Sequence, residues 1–428
     1  VDPDHVDVLV VGGGPAGSIA ALVLARAGAS VAIVDKARFP RDKACGDLVG
    51  PRGLQVLDDL GLDEPAGIDL GDMVVVGPSG RRVLLPSVDG RTYPGRARAV
   101  TRTVFDGALR SAALEAGARP VEGRAAGPLG LGSDLGGFSV DRPGGGERRL
   151  TADFVIGADG ATSHVARSAG LVDGARVLWG FAVRSYVEQP VELPVITLWE
   201  RSPWRAFPGY GWIFPGPDGV ANVGLGVGTL ADRSVGARAV QALPEFFDHL
   251  ARLGLLEAAV TTAPPPARLG GWLKMGMVGT RPAAGRVLLV GDAAGLVNPL
   301  QGEGIAQAMT SGRTAAEAIV GSPADAADTY RRHLAADHLP YQRVAAAGHA
   351  ALVGRPRVVA AVGRAVTSPV VGRTVAGGWG VFWNELLRGA APGPARRVAG
   401  GATALGRALA APTGVSRWFT AVYGRTDR

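Results

Sequence analysis

Cysteine is almost missing from this chain: Cys45 is the single one in 428 residues. No internal disulfide can form, which points to a reducing compartment, and a cytoplasmic location is expected. Aromatic residues make up only 6%, and with charged residues at 19% the chain is too apolar for disorder. No run of 18 apolar residues occurs, so no membrane span is expected. The first apolar run, Val6 to Val11, reads as a buried strand and not as a signal peptide. His, Cys and acidic residues nowhere take metal-ligand spacing, so no metal is expected, and no Gly-x-Ser-x-Gly elbow marks an acyl-transfer nucleophile. The length exceeds what one core holds, which predicts two lobes and an appendage.

Glycine, by contrast, is concentrated where it carries meaning. Gly12-Gly13-Gly14-Pro15-Ala16-Gly17 lies between that strand and an Ala/Leu-rich helix over 18–27, closed by Gly28. Gly12 makes the turn tight, Gly14 lets the backbone approach a pyrophosphate, and Gly17 lets the helix pack on the strand. Pro15 and Ala16 open the helix whose free N–H groups face the phosphates. A second strand, Val31 to Val34, ends at Asp35 and Lys36, about 20 residues downstream, where an acid accepts hydrogen bonds from a ribose. A bound dinucleotide follows.

Two later pieces share this texture. Asp153 to Ile156 reads as a strand running into Gly157-Ala158-Asp159-Gly160, which alone is an ordinary turn. Val287 to Val290 runs into Gly291-Asp292-Ala293-Ala294-Gly295, then through Pro299 to Gly302-Glu303-Gly304-Ile305. A helix is predicted from there to about Ile319, with Ile305, Met309, Gly312, Ala316 and Ile319 on one stripe. Its N-terminal amides suit the negative charge that reduction places on a flavin ring, and Asp292 suits a ribityl hydroxyl. The three pieces together point to FAD, with Asp159, Gly291, Asp292, Pro299, Gly302, Gly304 and Ile305 as cofactor residues.

Between these pieces the signals change. A hairpin is predicted around Pro78-Ser79-Gly80, a helix over 102–116, strands over 178–187, 195–200, 211–214 and 220–227, and a helix over 237–253. The expected fold is α/β: a Rossmann-like FAD-binding domain built discontinuously from 1–70, 98–170 and 275–330. A mixed β-sheet substrate domain from 71–97 and 171–274, and a basic helical C-terminal region over 331–428, complete it.

Phe39-Pro40-Arg41-Asp42-Lys43-Ala44-Cys45-Gly46-Asp47, Tyr210-Gly211-Trp212-Ile213-Phe214-Pro215 and the stretch from Gly291 to Ile305 resemble the geranylgeranyl reductase family. That family lies within the FAD superfamily that also holds aromatic hydroxylases and flavin halogenases, and the resemblance covers about residues 6 to 330. It implies a reduced flavin delivering hydride to an isolated double bond of a hydrophobic isoprenoid-type substrate. It places Cys45 and Gly46 in a catalytic loop beside the flavin and Tyr210, Trp212 and Phe214 on the substrate wall. It also likens Arg102 to an arginine that contacts FAD. One departure is Leu48, where glycine is usual, and its bulk would narrow the pocket.

The chemistry stands apart from the name. An unconjugated alkene has no carbonyl to accept charge, so hydride must be matched by a proton within a water-poor pocket. Trp199, Trp204, Phe207, Tyr210, Trp212 and Phe214 crowd one stretch and fit an apolar ligand, although sheet core explains any one of them. Cys45 either donates the proton or packs against the ring. His164 is expected to satisfy local backbone groups.

Two rival readings stay open. A flavin monooxygenase would hydroxylate or epoxidise a natural-product skeleton on the same scaffold, and a carrier would bind lipid without turnover. Halogenation is disfavoured by the Cys45-Gly46-Asp47 step and by the lack of a lysine expected at the reacting face. With one dinucleotide fingerprint, NADPH or another reductant such as ferredoxin or a quinol would meet the flavin transiently.

Charge is uneven along the chain. Residues 331–428 hold fourteen arginines against Asp337, Glu385 and Asp427, while the whole chain carries +7. Trp379, Phe382, Trp383, Leu386 and Leu387 fall at helical spacing, and Trp418, Phe419, Val422 and Tyr423 repeat the pattern beside Arg417 and Arg425. Peripheral membrane contact and an ordinary core-packed stripe both fit. Nucleic acid is not expected, because no recognised module accompanies the charge.

Overall fold

The structure, a computed structural model, describes residues 4–77, 79–85, 96–198, 209–229, 234–258, 269–352, 355–370, 372 and 393–410. Its first sheet grows from the apolar runs. Val287–Leu289, Glu147–Gly157, Asp4–Val11, Val31–Asp35 and Arg119–Glu122 lie side by side in that order, all parallel. They read as near-continuous Val, Leu and Ile because they are buried, as Leu9, Ile33, Ile156 and Leu288 are. The short strand Ala283–Ala284 and a meander of Arg124–Pro128 and Gly137–Asp141 extend the sheet antiparallel.

Register decides where the site lies. Val11 stands opposite both Val34 and Gly157, and Gly157 opposite Leu289. The carboxyl ends of four strands are therefore level, so the three glycine-bearing turns leave the sheet together at the edge where open parallel sheets bind ligands. Over this edge the helix Pro15–Arg26 packs against both Arg102–Glu115 and Ile305–Gly321. It begins at Pro15, earlier than the expected Ser18, because proline's fixed φ suits a first helical position. At Gly312 a Cβ would stand 2.2 Å from the Ala16 carbonyl oxygen, so that crossing requires glycine.

The second sheet has seven strands in the order Leu269–Met275, Leu178–Val187, Ala221–Thr229, Gly209–Pro215, Val195–Thr197, Met73–Val76 and Arg82–Leu85. All pair antiparallel except Val195–Thr197 with Met73–Val76. The helix Val235–Arg252 covers one face, where Phe246, Phe247 and Leu250 pack with Val183, Ile213 and Val223. Strand side chains alternate between faces, so Gly211 and Ile213 turn to that helix while Tyr210, Trp212 and Phe214 turn the other way. A three-stranded sheet of Leu48–Val49, Ala97–Ala99 and Ile68–Leu70 completes the strands.

The C-terminal region is helical: Ala326–Asp337, Leu339–Leu352, Pro356–Val366 and Gly393–Ala410. The last docks on Leu339–Leu352 through Gly406, where a Cβ would stand 2.1 Å from the Pro340 carbonyl oxygen. Among the described residues, no helix is long and apolar enough to cross a membrane and no His, Cys and acidic group could hold a metal. Trp199, Trp204 and Phe207, and the tail aromatics from Trp379 to Leu387 and from Trp418 to Tyr423, lie outside the described residues.

Candidate active site

The glycines of the first turn have separate physical duties. Gly12 holds φ +108°, and a Cβ there would stand 2.3 Å from the Ala158 carbonyl oxygen, which joins the first turn to the second. At Gly17 a Cβ would stand 1.8 Å from the Gly12 carbonyl oxygen, so the helix sits directly on the turn. Gly14 is different: a Cβ would meet only Arg41 Nη2, at 3.2 Å. No backbone crowds Gly14, so the space above it is free for a ligand. Gly291, at φ +54°, closes the ring of motifs, since a Cβ there would stand 3.2 Å from both Ala16 and Ala308.

Asp35 supports the same turn. Its Oδ2 accepts from the Gly13 N–H at 2.7 Å and its Oδ1 from the Ala37 N–H at 2.8 Å, leaving lone pairs for a ribose. Lys36 beside it is exposed. Asp159 spends its carboxylate locally, accepting from the His164 N–H at 2.6 Å and from the hydroxyl of Ser163, which caps the helix His164–Ser168. His164 is likewise committed to backbone, with Nε2 2.7 Å from the Ala126 carbonyl oxygen. An open dinucleotide cradle on a level strand edge fits FAD.

Beyond the cradle lies a cavity of about 280 Å³ between the strand edge and the second sheet. Pro15, Cys45, Gly46, Arg102, Asp292, Pro299, Gly302, Gly304 and Ile305 meet Tyr210, Trp212 and Phe214 around it. Gly12, Gly14, Ala16, Gly17, Asp35, Lys36, Asp159 and Gly291 remain outside it, in or around the cradle. Leu48 lines the cavity. A lysine lines it too, contrary to expectation: Lys43 Nζ is held by Asp292 at 3.2 Å. Lys43 and Asp292 come from motifs 249 residues apart, so no local pattern pairs them.

The wall and the loop are tied by hydrogen bonds. Trp212 Nε1 donates to Asn222 Oδ1 at 2.9 Å, while Asn222 Nδ2 donates to the Cys45 carbonyl at 2.8 Å and to Asp47 Oδ2 at 2.9 Å. Tyr186 adds its hydroxyl to Asp47, whose φ of 60° sets the sharp turn after Gly46. Burial pushes the Asp47 carboxyl up, opposed by the Tyr186 and Asn222 hydrogen bonds. Tyr210 donates to the Gln301 carbonyl oxygen, joining the wall to the glycine-rich stretch, and burial pushes its own pKa up. Asn222 was legible only as a lone amide in an apolar strand.

Cys45 sits at the junction. Burial pushes its thiol up, while the Arg102 guanidinium beside it pulls the other way. Arg102 is fixed by a two-pronged contact, Nε to Asp106 Oδ1 and Nη2 to Oδ2, each 2.7 Å, and Arg41 Nη1 pairs with Asp106 at 2.8 Å.

The C-terminal region also reaches the site, which sequence reasoning did not foresee. From Leu339–Leu352, Gln342 Nε2 donates to the Leu296 carbonyl at 3.0 Å and the Tyr341 hydroxyl meets Asn298 Nδ2 at 2.7 Å. His349 Nδ1 lies 3.0 Å from the Pro299 carbonyl, and the ring lines the cavity.

A family model described as an FAD binding domain matches residues 5–183. Over 73% of the chain, 36% of residues are identical to a menaquinone reductase of Mycolicibacterium smegmatis, covering 76% of that protein. A digeranylgeranylglycerophospholipid reductase of Methanopyrus kandleri is 33% identical over 73% of the chain and 76% of its own length. Among solved structures, a geranylgeranyl bacteriochlorophyll reductase-like protein of Thermoplasma acidophilum superposes with a TM-score of 0.71 at 22% identity, over 88% of this chain and 96% of that one. Its identity is too low to speak for more than the fold. On sequence, fold and site together, the chain belongs to the geranylgeranyl reductase family of FAD-dependent oxidoreductases.

Proposed function

We propose that this protein reduces a carbon–carbon double bond in the isoprenoid chain of a hydrophobic substrate, a polyprenyl, quinone or lipid side chain. One observation carries the reading: the Cys45-Gly46 loop and the apolar wall of Tyr210, Trp212 and Phe214 enclose one cavity with Asp292 and the Gly302 to Ile305 turn. Bound FAD, once reduced, supplies the hydride. Gly14 would hold its pyrophosphate on the turn that Gly12 and Gly17 shape, Asp35 would hold its ribose and Asp292 its ribityl chain. Pro299, Gly302, Gly304 and Ile305 would lie against its ring system.

The protein's own residues supply the rest. Trp212, Phe214 and Leu48 exclude water from an apolar chain. Tyr210 donates its hydrogen bond to the Gln301 carbonyl oxygen, so it positions the wall. Cys45 holds a proton on Sγ at neutral pH, because burial pushes the thiol up. Transfer of that proton to the alkene carbon would leave a thiolate beside Arg102, which opposes its charge. NADPH or another reductant meets the flavin transiently, and the exposed arginines of the tail, Arg397 and Arg407, suit an anionic membrane surface near the lipid substrate.

Anaerobic photoreduction with a polyprenyl alcohol, whose reducible groups are its alkenes alone, followed by mass analysis, tests the reading. A gain of two hydrogens supports it. A gain of one oxygen in air would instead make the protein a monooxygenase, and unchanged ligand a carrier.

A further inference from the structure

The helix Pro356–Val366 carries apolar residues on two faces. At about 3.6 residues per turn, Val359, Gly363 and Val366 fall on one side, and all three line the cavity. Val358, Ala361, Val362 and Ala365 fall on the adjoining side at i, i+3, i+4 and i+7, and these four are exposed. Val362 stands on the border: it is 43% exposed and also lines the cavity, so the helix flanks an opening. Val83 and Leu85 of the edge strand Arg82–Leu85 line the same cavity. Gly77 holds that hairpin to the end of the helix, since a Cβ there would stand 2.2 Å from the Thr367 hydroxyl oxygen.

Charge is arranged around the exposed stripe. Arg357 and Arg364, two turns apart, follow one of its edges, and Arg355 lies just before the helix; all three are exposed. No acidic residue occurs between Asp337 and Glu385 to offset them. An apolar stripe left in water is unfavourable until something covers it, and one edged with arginine matches the boundary between anionic head groups and acyl chains.

We propose that the helix Pro356–Val366 seats this opening of the cavity on an anionic lipid bilayer, so that an isoprenoid chain passes from the membrane past Val362 without crossing water. The route rests on the reading that the cavity holds an isoprenoid, whereas the seating does not. The bilayer covers Val358, Ala361, Val362 and Ala365, and its anionic head groups meet Arg355, Arg357 and Arg364. A long isoprenoid is far more soluble among acyl chains than in water, so an opening at the bilayer surface removes the cost of capturing it from solution.

The test uses the full-length, FAD-loaded protein and vesicles of phosphatidylcholine, alone or mixed with phosphatidylglycerol in equal parts. The wild type should sediment with the mixed vesicles far more than with the neutral ones. Val358→Glu/Ala365→Glu puts two carboxylates on the stripe at positions that do not line the cavity. It should bind the mixed vesicles at least about tenfold more weakly, the scale of two adverse charges at an anionic surface. Its FAD content and its dithionite-driven rate on geraniol in vesicle-free buffer should stay as in the wild type, while its rate on a polyprenyl alcohol held in the mixed vesicles falls with its binding. Should the glutamates unfold the protein, Arg357→Gln/Arg364→Gln leaves the stripe intact and should weaken binding to the mixed vesicles by a similar factor. Unchanged sedimentation of both variants overturns the seating. A wild-type dimer that Val358→Glu/Ala365→Glu makes monomeric, with vesicle binding unaltered, gives the stripe to a second copy of the chain and overturns it too. Loss of vesicle binding with the vesicle-held alcohol still reduced at the wild-type rate overturns the route. If vesicle binding responds as stated and the wild type reduces neither alcohol, the seating stands and the isoprenoid reading of the cavity fails.

Discussion

Asn222 holds the Cys45 loop from within the substrate wall, its Nδ2 donating to the Cys45 carbonyl oxygen at 2.8 Å. The same amide accepts from the Trp212 indole at 2.9 Å, so one buried side chain sets both the wall and the loop it faces. Replacing it with leucine keeps the volume and leaves the Trp212 N–H, the Cys45 carbonyl and Asp47 short of partners. Asn222→Leu is expected to lose about 2–4 kcal/mol in urea unfolding, on the scale of one or two orphaned buried groups, and to lower turnover with it. An unchanged unfolding midpoint would show that the loop holds without the amide.

The cradle glycines separate folding from cofactor retention. Gly14→Ala meets only the tip of Arg41, so the protein should fold with a normal midpoint yet purify without the yellow colour. Gly17→Ala drives a methyl into the Gly12 carbonyl and should lower the midpoint as well. Absorbance at the flavin band, read beside thermal unfolding, distinguishes the two, and a yellow Gly14→Ala would place the pyrophosphate elsewhere. Asp292→Ala should also weaken FAD retention strongly.

Cys45→Ala asks whether the loop does chemistry or packs. FAD colour should persist, because the cradle is untouched, while alkene reduction falls by roughly 10²-fold, the scale of lost general-acid assistance. Full activity in the variant would make the thiol a packing group.

Lys274 gives the fold a pH signature. The side chain is 1% exposed, and burial lowers its pKa from 10.5 to about 8 despite Asp159 and Asp292 nearby. Between pH 8 and 10.5 the unfolded chain binds the extra proton, so stability rises with pH across that window and the cost is full below it. The span corresponds to roughly 3 kcal/mol. Urea unfolding from pH 7.5 to 10 should show the wild type gaining on Lys274→Met. Parallel curves would mean that the amine titrates at its ordinary value.

The tail is tested apart from the active site. Glutamate at both Arg396 and Arg397 should weaken sedimentation with anionic liposomes while FAD binding is unchanged. Unaltered sedimentation would remove the case for membrane contact there.

Much of this site was readable in one dimension because its parts are local. A glycine turn between an apolar run and an Ala-rich helix announces itself, while Tyr210, Trp212 and Phe214 were placed on the substrate wall by the family resemblance of their motif. What escaped notice were pairings with no local pattern. Lys43 meets Asp292 across 249 residues, and Asn222 meets Cys45 across 177. His349 sits in an alanine-rich helix where a lone imidazole looks like ordinary core.

The order of the residues alone determined the strands that lead into the three glycine-bearing turns, and the cofactor those turns cradle. Each follows from side-chain periodicity and the backbone freedom of glycine, whereas strands such as Leu48–Val49 and Leu269–Met275 were not legible in it. Only the tertiary structure decided which polar groups meet. The parallel register of Val34, Val11, Gly157 and Leu289 levels the strand ends, and chain packing then spends Tyr210 on Gln301 and Asn222 on the Cys45 loop. Hydrogen bonding in a dry interior is a matter of which atoms come within 3 Å, and distance in space is not written in distance along the chain.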